Sequence, residues 1–246
     1  MRIRLGIVLC VLAFIFSSCK KGHMLDCIKS SGPQVTEIRV SSAFLNLDIS
    51  SDVDVLLYAD TVPFIKVTAG QNLLSGIITE LNGNTLYIRN ENKCNWVRSF
   101  KHTALVEVGM KNPESVTYFG SGNITSADTI RSKTFSFNSW NGSGSARFLM
   151  NCEVSYLINN TGRTDIHAAG FSGVSFVNMN DVGILDASSL RTGFTYIRTS
   201  GTGNCRIHVE KELGAEIFYH GNIYYSGNPY KIEQTITGSG NLIKAD

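Results

Sequence analysis

Across the second half of the chain, small or apolar positions alternate with polar ones. The alternation recurs in step about every 20 residues. Glycines mark the beat: Gly122, Gly144, Gly162, Gly183, Gly203, Gly221 and Gly240, at spacings of 22, 18, 21, 20, 18 and 19. Two residues after each glycine stand Ile124, Ala146, Thr164, Leu185, Cys205, Ile223 and Leu242. Four residues after stand Ser126, Phe148, Ile166, Ala187, Ile207 and Tyr225. The positions between and beyond them are mixed and mostly polar: Thr125, Arg147, Asp165, Asp186, Arg206 and Tyr224, then Ala127, Leu149, His167, Ser188, His208 and Ser226. A period of two is the strand period, and no 3.6-residue stripe competes with it. A fixed repeat of this size marks a solenoid, whose turns bury their apolar sides only against neighbouring turns. The expected fold is therefore all-β: a single-stranded parallel β-helix of about 20 residues per rung, with rungs about 4.8 Å apart. The glycines are expected to supply a positive φ at a corner, a region Asn also tolerates.

The first half carries short β-type runs at 35–40, 44–49, 53–58 and 64–67. Asn82-Gly83-Asn84 reads as a turn between Ile77-Ile78 and Leu86-Tyr87-Ile88. Residues 71–75 could form one helical turn, residues 104–108 alternate, and Asn112-Pro113-Glu114 turns the chain. No shift of composition divides it into two folded domains.

Particular runs resemble a known family. Ala104-Leu105-Val106-Glu107-Val108, with Pro113 and then Val116-Thr117-Tyr118-Phe119-Gly120-Ser121-Gly122-Asn123, is similar to the run that leads into the repeats of putative auto-transporter adhesin, head GIN domain proteins. Gly221-Asn222-Ile223-Tyr224-Tyr225-Ser226-Gly227-Asn228-Pro229, then Thr237-Gly238-Ser239-Gly240-Asn241, resembles the family's closing rungs. Leu81-Asn82-Gly83-Asn84-Thr85-Leu86 matches its glycine turn before a strand. The resemblance covers roughly 35–246. It implies a right-handed parallel β-helix and an envelope location, as in lipoproteins of Bacteroidetes-type bacteria. It supplies no catalytic residues. The middle departs from the pattern, because Gly162 and Gly183 lack a Gly-x-Gly pair.

The N-terminus reads as a targeting segment. Arg2 and Arg4 precede an apolar stretch at 7–16, too short to span a membrane, and then Phe16-Ser17-Ser18-Cys19. Small residues directly before a cysteine resemble a lipobox, which implies cleavage after residue 18 and acylation of Cys19. The organisation is then a signal peptide at 1–18, a polar tether at 19–34 and a β-helix domain at 35–246. Two or more acyl chains anchor a protein without a spanning helix. Cleavage leaves 228 residues, with 20 basic against 20 acidic side chains. That balance argues against nucleic acid as a partner.

Cys27, Cys94, Cys152 and Cys205 remain in an oxidising compartment, and they allow three connectivities. Cys205 falls in an inward column and reads as a buried free thiol, while a Cys27–Cys94 pairing stays open. No Cys/His metal spacing occurs, so neither a metal nor a cofactor is expected.

The outward columns offer the candidate chemistry. On the glycine frame Arg147, Asp165, Asp186 and Arg206 align on successive rungs, with His167 and His208 two residues along the same face. Adjacent carboxylates of Asp165 and Asp186 would stand about 5 Å apart, a separation compatible with glycosidase chemistry. The preferred reading is a surface ladder pairing Arg147 with Asp165 and Asp186 with Arg206, because each acid has a basic neighbour. The aromatics Phe218, Tyr219, Tyr224, Tyr225 and Tyr230 read as a cover for the solenoid's end, with Tyr224 outward as a possible contact and Tyr225 inward. The expectation is a lipid-anchored outer-membrane protein, periplasm-facing or at the cell surface. It would act as a binding or adhesion module for an envelope or surface glycan or protein, and not as an enzyme. The alternatives are a polysaccharide-active lyase or glycosidase and a purely structural envelope protein.

Overall fold

A computed structural model describes residues 30–59, 62–93 and 104–245. The expected signal peptide, Cys19, Cys27 and Cys94 lie outside the described residues. All strands join one sheet, wound as a solenoid of about 6 turns with roughly 20 residues per turn.

The regular part begins with β8 (Ser115–Gly120), β9 (Ile124–Ser126) and β10 (Ile130–Ser139). It continues through β11 (Ser145–Asn159), β12 (Asp165–Met179), β13 (Leu185–Thr199) and β14 (Cys205–Ile217). It ends with β15 (Ile223–Ser226), β16 (Lys231–Ile236) and β17 (Leu242–Lys244). Every pairing among these strands is parallel. The long strands turn a corner without breaking. In β11, Ala146, Phe148, Met150 and Cys152 are buried, and burial then shifts phase to Ser155, Leu157 and Asn159. A slip of the two-residue period moves the inward side from one face of the coil to the next.

Side chains of one type stack up the interior. One column runs Ile124, Ala146, Ile166, Leu185, Cys205, Ile223; another runs Val116, Phe137, Leu157, Val177, Ile197, Ala215. Buried hydroxyls satisfy one another across rungs, as Ser155 does with Ser175 at 3.0 Å and Ser139 with Thr164 at 2.6 Å. Tyr118 is fully buried and donates its hydroxyl hydrogen to the Gly122 carbonyl at 2.6 Å. Cys152 and Cys205 are free and buried.

The first half does not simply lay earlier rungs. Its strands are β1 (Gln34–Arg39), β2 (Asn46–Ser51), β3 (Asp54–Tyr58), β4 (Phe64–Gly70), β5 (Ile77–Asn82), β6 (Thr85–Asn90) and β7 (Leu105–Gly109). β2 sits between β6 and β8, and β3 between β7 and β9. The chain thus builds one rung, doubles back to lay β6 and β7 beneath it, and returns above it at β8. The β5–β6 hairpin turns at Gly83, where φ is +58°, and β1 and β4 close the other side as antiparallel strands. The expected helical turn is a single 3-10 turn at Leu74–Gly76.

The corner glycines have a different cause from the expected one. Of the seven, only Gly162 has a positive φ. The others stand where the backbone of one turn touches the backbone of the turn below. A Cβ on Gly203 would lie 1.9 Å from the Gly183 carbonyl oxygen, and one on Gly144 would lie 2.0 Å from that of Gly122. At the far end Ile232 and Ile236 continue the core columns of Leu213 and Ile217, yet they are 41% and 40% exposed. The aromatics expected to cover this end leave it open, and Tyr219 and Tyr230 are themselves exposed.

Candidate functional site

The structure places His167 where Asp165 was expected in the outward column, so the expected Arg147–Asp165 pairing does not share a column. The stacked outward column is Thr125, Arg147, His167, Asp186, Arg206, Tyr224. Asp165 is not in it. It stacks on Ser145, and its carboxylate accepts the Ile184 N–H at 3.3 Å. The glycine frame slips by two residues at this rung: Gly162 bridges to Gly142, while Thr164 occupies the level of Gly144 and Gly183. The carboxylates of Asp165 and Asp186 therefore belong to different columns, and the expected neighbour pair does not form. His208 lies along the same face beside Ser226, its Nδ1 2.9 Å from the serine hydroxyl.

Asp186 is held by Ser188, whose hydroxyl donates at 2.6 Å and whose N–H donates at 3.2 Å. The Ser188 hydroxyl above all, with His167 and Arg206 nearby, keeps this carboxyl below the usual range. Arg206 lies over the Tyr224 ring at 5.7 Å, so the outward Tyr224 already has a cation against it. Tyr225 packs inward against the core as expected. Arg147, His167 and Asp186 border a hollow of about 300 Å³. Among the described residues no three His, Cys, Asp or Glu side chains are grouped to hold a metal ion.

A second outward surface was not anticipated. It lies on the face formed by the C-terminal halves of β11, β12 and β13 with β14 and β16. Tyr156, Phe176 and Tyr196 stack one above another, with ring centroids 5.2 and 5.5 Å apart and planes 14° and 19° from parallel. The next place in the column is Gly214, followed by Glu233. A Cβ on Gly214 would come 2.9 Å from Tyr196 Cδ1, so this ring leans over bare backbone. Beside the aromatics runs a parallel column of Ile158, Asn178, Arg198, Glu216 and Thr235. Arg198 lies 4.6 Å over the Phe218 ring, with its Nε 3.9 Å from Glu216.

Between the two columns lies a groove of about 470 Å³, parallel to the solenoid axis. Every residue lining it belongs to a strand. Phe176 and Tyr196 remain 37% and 44% exposed. Exposed aromatic carbon beside paired polar groups forms an amphipathic surface, apolar on one wall and hydrogen-bonding on the other. The sequence did carry its signal, since Tyr156, Phe176 and Tyr196 recur at intervals of 20 residues. The glycine frame marks the other face.

The family described as putative auto-transporter adhesin, head GIN domain, matches residues 43–229. Solved structures share the fold. A putative adhesin from Bacteroides fragilis NCTC 9343 is similar with a TM-score of 0.80 at 15% identity, over 87% of this chain and 97% of that one. A putative adhesin from Parabacteroides distasonis ATCC 8503 gives 0.66 at 18% identity, over 87% and 98%. A putative lipid binding protein from the same organism gives 0.66 at 19% identity, over 88% and 98%. No curated protein matches the sequence.

Proposed function

The chain belongs to the putative auto-transporter adhesin, head GIN domain family, and on that premise we propose that it is a lipid-anchored envelope protein that binds a surface partner through its solenoid flank. The observation that carries this reading is the axial groove. It is built on paired strands, it exposes two aromatic side chains, and it sets donors and acceptors along one wall. Sites on rigid elements need little ordering when a ligand arrives, which favours recognition. A hydrolytic reading calls for converging carboxyls, one of them held protonated by burial or an unbalanced like charge. Here Asp165 and Asp186 stand in different columns, and Asp186 is pushed toward its ionised form.

The anchor rests on Phe16-Ser17-Ser18-Cys19, and no helix among the described residues is long and apolar enough to cross a membrane. Acylation at Cys19 would tether the solenoid to the outer membrane, facing the periplasm or the exterior. Metabolic fatty-acid labelling should be lost in Cys19→Ala, and persistent labelling refutes the anchor. The chain from Lys20 onward keeps every described residue. It should bind envelope preparations or whole cells saturably, and linear, non-saturating association refutes the binding reading. Reducing-end release from a polysaccharide, abolished by Asp186→Asn, would replace it with an enzymatic one.

A further inference from the structure

Resting on the binding reading above, we propose that the axial groove takes a neutral linear polysaccharide, laid along the solenoid axis with a sugar ring against Tyr196. The dimensions come first. The wall from Ile158 to Thr235, polar from Asn178 onward, crosses five successive rungs, which at about 4.8 Å per step gives roughly 19 Å. The rung spacing is close to the length of one pyranose unit, so successive units of a chain laid on the groove meet successive rungs. No loop lines the groove. The ligand that suits it is therefore extended, bound along its length and not by its end.

The chemistry narrows the class. One wall offers aromatic carbon, and the other offers an amide, a guanidinium, a carboxylate and a hydroxyl at Asn178, Arg198, Glu216 and Thr235. A sugar presents a CH face and hydroxyls that both donate and accept, matching both walls together. The charges largely offset one another: Arg198 stands beside Glu216, and Glu233 is 2.9 Å from Lys231. No cationic surplus is left for a polyanion. An acyl chain would strip water from the polar wall and return no hydrogen bonds. A peptide adding as a strand needs a free sheet edge; among the described residues β16 pairs only with β14 and offers one at the end of the coil, whereas the groove runs across the face of the sheet. Gly214 completes the site. A side chain there would displace the Tyr196 ring and fill the floor beside it.

The test is affinity electrophoresis of the chain from Lys20 onward, in gels containing xylan, mannan or hydroxyethylcellulose, with polygalacturonate as the anionic comparison. Any neutral polysaccharide that retards the protein is then titrated by calorimetry. The expected result is retardation by at least one of them. Tyr196→Ala should weaken it roughly tenfold, the equivalent of one lost aromatic contact, and Tyr196→Phe should retain it. Gly214→Val should weaken it with the aromatic still present. Unchanged melting temperatures establish that these substitutions leave the fold intact. Retardation that Tyr196→Ala does not alter overturns the groove assignment. Retardation by polygalacturonate alone overturns the neutral class. Absence of retardation throughout, with saturable cell binding intact, overturns the glycan inference and leaves the binding module standing. Loss of both refutes the two together.

Discussion

Replacing Gly203 with alanine adds one methyl group at one of the tightest backbone contacts of the coil. Its Cβ would lie 1.9 Å from the Gly183 carbonyl oxygen and 2.7 Å from the carbonyl carbon. Contacts under 3.0 Å are essentially never made by real Cβ atoms, so the rungs must part locally by about 1 Å. Two backbone hydrogen bonds hold these two rungs together beside it. Leu185 N–H donates to Asn204 O at 3.1 Å, and Ser200 N–H to Met179 O at 3.0 Å. Stretching both forfeits about 2 kcal/mol, and the overpacking adds about 1–3 kcal/mol. The expected loss is about 3–5 kcal/mol, or a melting temperature lower by roughly 6–20 °C for a domain of this size.

Gly83→Ala is the control. That residue has a φ of +58° but nothing within 4 Å of a built Cβ, so only the left-handed backbone cost of about 1–2 kcal/mol applies. Thermal unfolding followed by circular dichroism at 218 nm, the usual strand band, measures both. A smaller loss for Gly203→Ala than for Gly83→Ala would refute the stacking explanation and restore the conformational one.

Ile207→Asp places a charge in a core column where the residue is 3% exposed and should cost several kcal/mol. His208→Ala, one residue along, removes a single bond to Ser226 and should cost about 1 kcal/mol; equal destabilisation would discredit the alternation. The Cys205 thiol is fully buried and pushed up to about 12 by that burial. It should resist a maleimide at pH 8 until denaturant is added, and prompt labelling would contradict the inward column. The Asp186 carboxyl is lowered in the folded chain, so between its folded and unfolded values the unfolded state binds more protons and stability rises with pH. Its contribution is present near neutrality and lost as pH falls through the folded value. Asp186→Asn should therefore narrow the drop in melting temperature between neutral and acid pH, and an identical drop would count against the Ser188 contact as its cause.

The family resemblance and the fold were both legible because a β-helix writes its repeat into the chain. Each rung must bury alternate residues on its neighbours, so Ile124, Ala146, Leu185, Cys205 and Ile223 stay small or apolar at one interval. Register was less legible at the rung of Gly162. Two glycine columns run two residues apart, Gly120–Gly142–Gly162 and Gly122–Gly144–Gly183, and Thr164 interrupts the second while its hydroxyl bonds Ser139. A glycine shows that backbones come close, but it does not say which backbone it meets. Reading Gly162 against Gly144 therefore moved Asp165 by one full strand period and brought two carboxylates together that the sheet keeps apart.

The sequence alone determined the strand period, the rung length, the corner glycines and the inward columns except at the rung of Gly162, where Ile166 and not Thr164 stacks between Ala146 and Leu185, because each follows from burial or backbone contact repeated at a fixed interval. Tertiary structure alone decided the rest. It set the doubling back that lays β6 and β7 beneath β2 and β3, which depends on long-range pairing that no local pattern encodes. It also decided which outward side chains meet. The stack of Tyr156, Phe176 and Tyr196 ends over Gly214 because parallel register aligns residues 20, 20 and 18 apart. Outward positions are free of the packing demand that makes the core periodic, so their grouping into a groove is visible only when the rungs are stacked.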